Sequence, residues 1–135
     1  MNYLGIDYGE KRIGLAKAED ELKIATPLRT ISNGENVLEE IDEIVLEEEI
    51  GEIVLGVPIS LDGHQNKFAL AIKSFGEKLE KEIDIKVSLQ NEVLTTIQAA
   101  RNDPKDIDAS SAALILQGFL DRTNRSGIDP VPESL

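Results

Sequence analysis

The chain has 135 residues, of which 41% are hydrophobic and 30% are charged, values typical of one soluble globular domain with a substantial core. It contains no Cys and one His, which excludes a disulfide framework, a thiolate metal site and a multi-histidine zinc site. The formal net charge of −12 disfavours nucleic-acid binding, because Lys and Arg drive the binding of phosphate backbones. With neither a signal peptide nor an apolar run of membrane length, we expect a cytoplasmic protein.

The first three predicted elements are strands at residues 2–7, 12–18 and 22–31. Their connections are short, which favours an antiparallel meander, and Pro27 indicates that the third strand lies at an edge or is interrupted there. Side chains alternate along a strand, so Gly5 and Asp7 share one face of the first strand. The Asp7 carboxylate is therefore predicted to lie at the lip of the sheet, with Gly5 leaving open space beside it.

An acidic helix is predicted after the meander. Ser32 to Glu35 has the S-x-x-E spacing of a capping box, and Gly51 would end the helix. Residues 35–50 contain eight acidic side chains and no Lys or Arg. The acids lie opposite an apolar stripe at helical spacing, formed by Val37, Leu38, Ile41, Ile44 and Val45. We interpret the acidic side as a solvated face, which leaves nucleic-acid binding possible elsewhere on the molecule.

The second half of the chain alternates helices and strands. Residues 52–58 form an apolar run that predicts a parallel strand covered on both faces. The polar loop 59–66 follows at its carboxyl end, where open α/β sheets usually bind ligands. The remaining elements are a helix marked by Phe68, Ile72, Phe75 and Leu79, a strand at 85–89, a short helix at 94–100 and a final helix from Asp108. Small residues in the final helix predict that it lies very close to the sheet.

This order of elements predicts an α/β fold with a mixed five-stranded sheet, in which a three-strand antiparallel meander is joined by two parallel strands and flanked by helices. With an acidic residue at the end of the first strand, the arrangement is typical of the RNase H-like fold. We place the domain at residues 1–122 and expect residues 123–135, which are polar and contain Pro, to form a flexible tail.

Three acidic residues are predicted to converge in this fold: Asp7 at the end of the first strand, Glu92 just past the last strand and Asp108 at the start of the final helix. Three such carboxylates repel one another unless a divalent cation neutralises them. A cluster of this kind suits phosphodiester hydrolysis, in which metal ions activate water and stabilise the leaving oxygen. Because the chain lacks Cys and has one His, the expected ion is Mg²⁺ or Mn²⁺. Each residue also has a simpler explanation: Asp7 as a turn former, Glu92 as an exposed acid and Asp108 as a helix N-cap.

Lys11 and Arg12 are the strongest candidates for phosphate contacts, because they follow Asp7 closely. His64 and Lys67 lie in and after the loop that follows the fourth strand. They are weaker candidates, since a lone loop histidine is usually a surface residue. The chain has two Tyr, three Phe and no Trp, so it is poorly equipped to stack bases. Any nucleic acid would be recognised through its backbone and shape.

Four groups of residues occur in a fixed order along nearly the whole chain: Gly5–Gly9 with Arg12–Ala16, Gly56–Pro58 with Asp62–Gly63, Glu92–Thr96 with Ala99, and Asp108–Gln117. In this order they resemble the YqgF-type (RuvX-like) family of pre-16S rRNA nucleases, which is related to Holliday-junction resolvases. The resemblance implies an RNase H-like fold and a divalent-metal-dependent nuclease that processes the 5′ end of pre-16S rRNA. It carries the catalytic and metal-ligand roles onto Asp7, Glu92 and Asp108. It also implies structured RNA or branched DNA as substrate, and ribosomal particles as a further partner.

The chain departs from the family pattern next to Glu92. Where the family has Asp-Glu-Arg, this chain has Asn91, Glu92 and Val93. The change removes one negative charge and a guanidinium that would hold phosphate. Residues 64–67 also replace the small-residue loop that is usual after Asp62 and Gly63. These departures bear on substrate affinity and leave a weak or inactive nuclease as an alternative.

Two further function classes stay open. A Gly-Ile-Asp-x-Gly turn also forms the first phosphate loop of actin-type and sugar-kinase-type phosphotransferases, in which backbone N–H groups hold phosphate. That architecture needs two lobes, and 135 residues supply one. A non-catalytic nucleic-acid or ribosome-associated adaptor would keep the fold without cleaving its ligand.

Overall fold

The computed structural model describes residues 1–59, 67–93 and 109–128. The described elements are β1 (Asn2–Tyr8), β2 (Arg12–Glu19), β3 (Ala25–Ser32), α1 (Val37–Glu47), β4 (Ile50–Ile59), α2 (Lys67–Ile83), β5 (Lys86–Val93) and α3 (Ala109–Ile128). The predicted helix at 94–100, most of the loop at 59–66 and residues 129–135 of the predicted tail lie outside the described residues. No helix in the described part of the chain combines the length and apolarity needed to cross a membrane.

The five strands form one mixed sheet in the order β3-β2-β1-β4-β5. β1 pairs antiparallel with β2, and β2 pairs antiparallel with β3. β1 pairs parallel with β4, and β4 pairs parallel with β5. The predicted meander and parallel strands are therefore confirmed. β1 is central, and the carboxyl ends of β1, β4 and β5 lie at one edge of the sheet.

The two faces of the sheet carry two separate cores. On one face, Leu4 and Ile6 of β1 pack in a cluster that includes the buried stripes of α1 and α2. On the other face, Tyr3 and Val54 pack with the apolar side of α3. Strand alternation divides the residues of β1 between these cores, so Asp7 belongs to the face that α3 covers. The acidic helix α1 lies across the sheet from that face.

Helix α3 approaches the sheet where β1 and β4 have glycine. A Cβ atom added to Gly5 would lie 2.7 Å from the Leu116 Cβ and 3.0 Å from the Ala112 carbonyl oxygen. A Cβ added to Gly56 would lie 2.5 Å from the Ile115 Cδ1. The close packing predicted for the final helix is confirmed. The expectation of open space beside Gly5 is wrong, because α3 fills that space.

The ends of two elements also differ from prediction. The Ser32–Glu35 capping box is wrong: Ser32 completes the pairing of β3 with β2, and the N-cap of α1 is Asn36, whose side chain makes no capping hydrogen bond. Helix α1 ends at Glu47 rather than near Gly51, and Glu49 takes the left-handed conformation (φ 54°) that turns the chain into β4. Helix α3 continues to Ile128, past the boundary predicted at residue 122.

Candidate active site

Asp7 is a buried carboxylate at the carboxyl end of the central strand. Its exposed fraction is 5%, and it pairs with Gly14 of β2. Apolar residues on either side along β1 fold the segment into the sheet, and alternation then directs Asp7 to the α3 face. Burying a carboxylate is costly unless hydrogen bonds or a cation compensate its charge. A position of this kind is therefore a stronger functional candidate than an exposed turn former.

Glu92 lies within β5 rather than just past it, and its backbone reaches the same edge of the sheet as Asp7. It pairs with Pro58 of β4, so β4 separates it from β1. The two interstrand spacings between β1 and β5 amount to about 10 Å. The Glu92 side chain lies outside the described part of the structure, and its approach to Asp7 stays a prediction.

The direction of α3 bears on the third predicted acid. Ala112 and Leu116 lie against Gly5, whereas Phe119 packs on Tyr3 with the ring centroids 6.3 Å apart. The helix therefore runs antiparallel to β1, and its N-terminus lies towards the edge that carries Asp7. Asp108 directly precedes Ala109, the first described residue of α3, and is itself outside the described residues.

The predicted trio is thus only partly visible. Topology brings β1, β5 and the start of α3 to one edge, but Asp7 is the one member whose side chain is described. Within the described ranges, no three His, Asp or Glu side chains come close enough together to hold a metal ion. The assignment of Asp7, Glu92 and Asp108 as metal ligands therefore stays a prediction.

Two of the predicted phosphate contacts follow Asp7 closely along the chain. Lys11 and Arg12 are exposed and lie at the turn between β1 and β2. Lys67 is exposed at the first position of α2, and His64 lies outside the described residues. Arg122 donates a hydrogen bond to the side-chain oxygen of buried Gln90 (2.9 Å). Its guanidinium is therefore engaged within the fold.

Three polar residues at the opposite end of β1, Tyr3, Asp20 and Lys23, have shifted pKa values. The Lys23 ammonium donates to the Asp20 carboxylate at 3.0 Å, and this hydrogen bond with its charge lowers the pKa of Asp20. The Tyr3 hydroxyl also donates to Asp20 (3.2 Å), and burial raises the pKa of Tyr3. These contacts fasten the β2–β3 turn to the amino end of β1, so we assign them a structural role.

A family model described as "RuvX: Holliday junction resolvase" matches residues 1–122. The chain belongs to the RuvX family.

Relatives of one shared name match nearly the whole chain. One named "Putative pre-16S rRNA nuclease" from Anaeromyxobacter sp. (strain Fw109-5) is 38% identical over 133 residues, which cover 90% of this chain and 97% of the relative. Another of the same name from Pelagibacter ubique (strain HTCC1062) is 32% identical over 136 residues, which cover 92% of this chain and 90% of the relative. The structure of T. thermophilus RuvC in complex with a Holliday junction substrate matches with a TM-score of 0.54 and 11% identity, covering 89% of this chain and 93% of that one. At that identity the likeness concerns the fold, and it confirms a RuvC-like, RNase H-type architecture.

Sequence reasoning missed two contacts made by the residues that follow Asp7. The Tyr8 ring packs on Phe75 and Phe68 of α2, with centroids 4.8 Å and 6.1 Å away, and so holds the amino-terminal half of α2 beside β1. Asn33 donates its side-chain amide to the Gly9 carbonyl oxygen at 2.8 Å. An aromatic residue after Asp7 offered a signal for the first contact. Nothing local to Asn33 indicated the second.

Proposed function

We propose that this chain is a nuclease that hydrolyses phosphodiester bonds in structured RNA, using Mg²⁺ or Mn²⁺ held by Asp7, Glu92 and Asp108. The observation that carries the proposal is the buried Asp7 carboxylate at the carboxyl end of β1. At the same edge lie the carboxyl end of β5, which contains Glu92, and the N-terminus of α3, which follows Asp108. Membership of the RuvX family supports the same assignment.

The residues present fit a hard divalent cation. Asp7 offers carboxylate oxygens at a position of 5% exposure, and a chain with no Cys and one His supplies an oxygen donor set, which suits Mg²⁺ and Mn²⁺. The ion, when bound, would lower the pKa of water and stabilise the charge on the leaving oxygen. The role of Asp7 is to fix the ion beside β1, and Glu92 and Asp108 would complete the ligand set.

Charge is distributed favourably for a nucleic-acid ligand despite the net charge of −12. The acidic helix α1 covers the sheet face opposite α3, so its carboxylates lie across the sheet from Asp7. Lys11 is exposed on the turn that follows Asp7, and Arg12 is exposed at the first position of β2. Together with Lys67 and His64 they would hold phosphates of the backbone, which fits recognition by shape rather than by base stacking.

The substrate that we favour is the 5′ region of pre-16S rRNA, bare or in ribosomal particles, in the cytoplasm. Relatives that match nearly the whole chain are named "Putative pre-16S rRNA nuclease", which supports pre-16S rRNA as the substrate. The family model matches residues 1–122, and we place the catalytic unit in that range, with α3 running on to Ile128. A second candidate is cleavage of branched DNA, because the family description names Holliday junction resolvase. Because Asn91 and Val93 stand where the family has Asp and Arg, a weakly catalytic, nucleic-acid-binding adaptor is the third candidate.

The test is a cleavage assay with a matched acidic control. The purified chain is incubated with a pre-16S 5′ fragment or a four-way DNA junction, in Mg²⁺, Mn²⁺ or EDTA. We expect the RNA to be cleaved only when metal is present, at a rate that is at least about 100-fold lower in Asp7→Asn. Asp42→Asn, an exposed residue of α1, should cleave normally. Preferred cleavage of the junction would support the DNA alternative, and binding without cleavage would support the adaptor. Full activity of Asp7→Asn would refute the mechanism.

A further inference from the structure

One residue outside the predicted site holds the turn beside it. The turn that connects β1 to β2 consists of Gly9, Glu10 and Lys11. Lys11 is one of the candidate phosphate contacts. Asn33 follows β3 and donates its side-chain amide to the Gly9 carbonyl oxygen at 2.8 Å. Its backbone N–H donates to the Lys11 carbonyl oxygen at 2.9 Å. One residue thus fixes the carbonyl groups on both sides of Glu10.

The two hydrogen bonds of Asn33 differ in kind. Arg12 and Ser32 form the terminal pair of the β2–β3 ladder, and the backbone bond to Lys11 continues that ladder by one position. The bond to Gly9 belongs to no ladder and depends on the Asn33 side chain. Gly9 is buried, and a buried carbonyl group needs a partner. The side chain supplies that partner from an element distant in sequence.

We infer that Asn33 is a positioning residue for nucleic-acid binding, which fixes the β1–β2 turn so that Lys11 meets the phosphate backbone beside Asp7. The inference rests on the proposed function. A turn that is ordered before the ligand arrives loses less conformational entropy on binding. Asn33 acts through the turn and need not touch the ligand.

The chain offers a matched control three residues away. Asn36 is exposed, and its side chain makes no capping hydrogen bond. Asn33→Ala and Asn36→Ala are compared for binding of a fluorescein-labelled RNA hairpin and a four-way DNA junction, by fluorescence anisotropy without divalent metal. We expect Asn33→Ala to weaken binding about fivefold and Asn36→Ala to bind like the wild type.

A double-mutant cycle separates positioning from general destabilisation. If Asn33 acts through the turn, Asn33→Ala should weaken binding by less than about twofold in a Lys11→Ala background. If Asn33→Ala instead destabilised the protein elsewhere, it would weaken binding by the same factor with and without Lys11→Ala. A second readout is independent of the ligand: trypsin should cut after Lys11 several-fold faster in Asn33→Ala than in Asn36→Ala, as mapped by mass spectrometry, because an untethered turn opens more often.

The outcomes separate the inference from the proposed function. A wild type that binds neither probe would overturn both. A wild type that binds, with Asn33→Ala binding equally well or losing the same factor in both backgrounds, would overturn the role of Asn33 alone. Equal rates of tryptic cleavage after Lys11 in Asn33→Ala and Asn36→Ala would show that the Asn33 side chain does not hold the turn. Weaker binding, its disappearance with Lys11→Ala and faster cleavage would together support the inference.

Discussion

Replacing Gly5 by alanine tests the close approach of α3 to the strand that carries Asp7. The added Cβ would lie 2.7 Å from the Leu116 Cβ, about 0.7 Å inside the 3.4 Å at which ordinary contact begins. It would also lie 3.0 Å from the Ala112 carbonyl oxygen. Neither atom can move by a change of rotamer, so the helix itself must shift. Overpacking of this kind costs about 1–3 kcal/mol.

The expected loss is large enough to measure. At about 2.1 cal/mol/K per residue, each kcal/mol corresponds to roughly 3–4 °C in Tm for a chain of this length. We therefore expect Gly5→Ala to lower Tm by roughly 3–10 °C, and to lower the urea midpoint without changing the m value. Gly34→Ala is the control, because its added Cβ would meet an ordinary contact at 3.7 Å. Alanine there should be neutral or stabilising by up to about 1 kcal/mol.

Gly56 provides the contrast that identifies the mechanism. Its added Cβ would meet the Ile115 side chain, with Cδ1 at 2.5 Å and Cγ1 at 3.0 Å, atoms that alanine at position 115 removes. Ile115→Ala should therefore relieve Gly56→Ala, with a coupling of about 1–2 kcal/mol. Leu116→Ala should not relieve Gly5→Ala, because the Cβ and the backbone oxygen remain. A Gly5→Ala protein as stable as Gly34→Ala would refute this packing.

Three further predictions concern polar contacts away from the site. Ser88 donates to the buried Glu52 carboxylate (2.5 Å), so Ser88→Ala should lower the free energy of unfolding in urea by about 1–3 kcal/mol. Lys86→Ala removes a 70%-exposed cation 3.9 Å from Glu52 and should cost far less. Equal losses in the two variants would contradict the importance of the Ser88 hydrogen bond. The Lys17 ammonium donates to Glu48 (2.8 Å), which raises the pKa of Lys17 above 10.5. The stabilisation by this pair is therefore present at neutral pH and is lost as the pH rises through the higher pKa. Glu48→Gln should lower the free energy of unfolding by a few tenths of a kcal/mol at low salt and should have no effect at strongly alkaline pH. Because the Lys23 hydrogen bond lowers the pKa of Asp20 below 3.8, Asp20→Asn should lower Tm at neutral pH and converge with the wild type as the pH falls well below 3.8; a Tm difference that persists in acid would contradict it.

The antiparallel meander and the two parallel strands could be predicted from the sequence, because alternation and short connections are local properties. The pattern of apolar residues along a strand indicates whether one or both of its faces are buried. It does so for the segment before Asp7 and for the apolar run at 52–58. Gly5 shows the limit of such reasoning. A missing side chain is equally compatible with a cavity and with a close neighbour, and only the packing of α3 decides between them.

Contacts between distant segments account for most of what was missed. Asn33 reaches Gly9, and Gln117 of α3 joins the Ala25 amide (2.9 Å) to the Lys23 carbonyl oxygen (3.1 Å). These polar residues resemble ordinary loop or helix-surface residues in the sequence. The Ser32 capping box failed for a related reason, since pairing with Arg12 keeps Ser32 in β3. Local patterns therefore predicted the elements, whereas the contacts that orient the site depend on the tertiary structure.

The central claim is that Asp7, Glu92 and Asp108 hold one divalent centre, and a crystal grown in Mn²⁺ tests it most directly. Anomalous scattering locates manganese independently of activity. We predict a manganese peak bonded to an Asp7 oxygen, with carboxylate oxygens of Glu92 and Asp108 in the same centre. A well-ordered site edge with no manganese at Asp7, and with Glu92 or Asp108 directed elsewhere, would contradict the proposal.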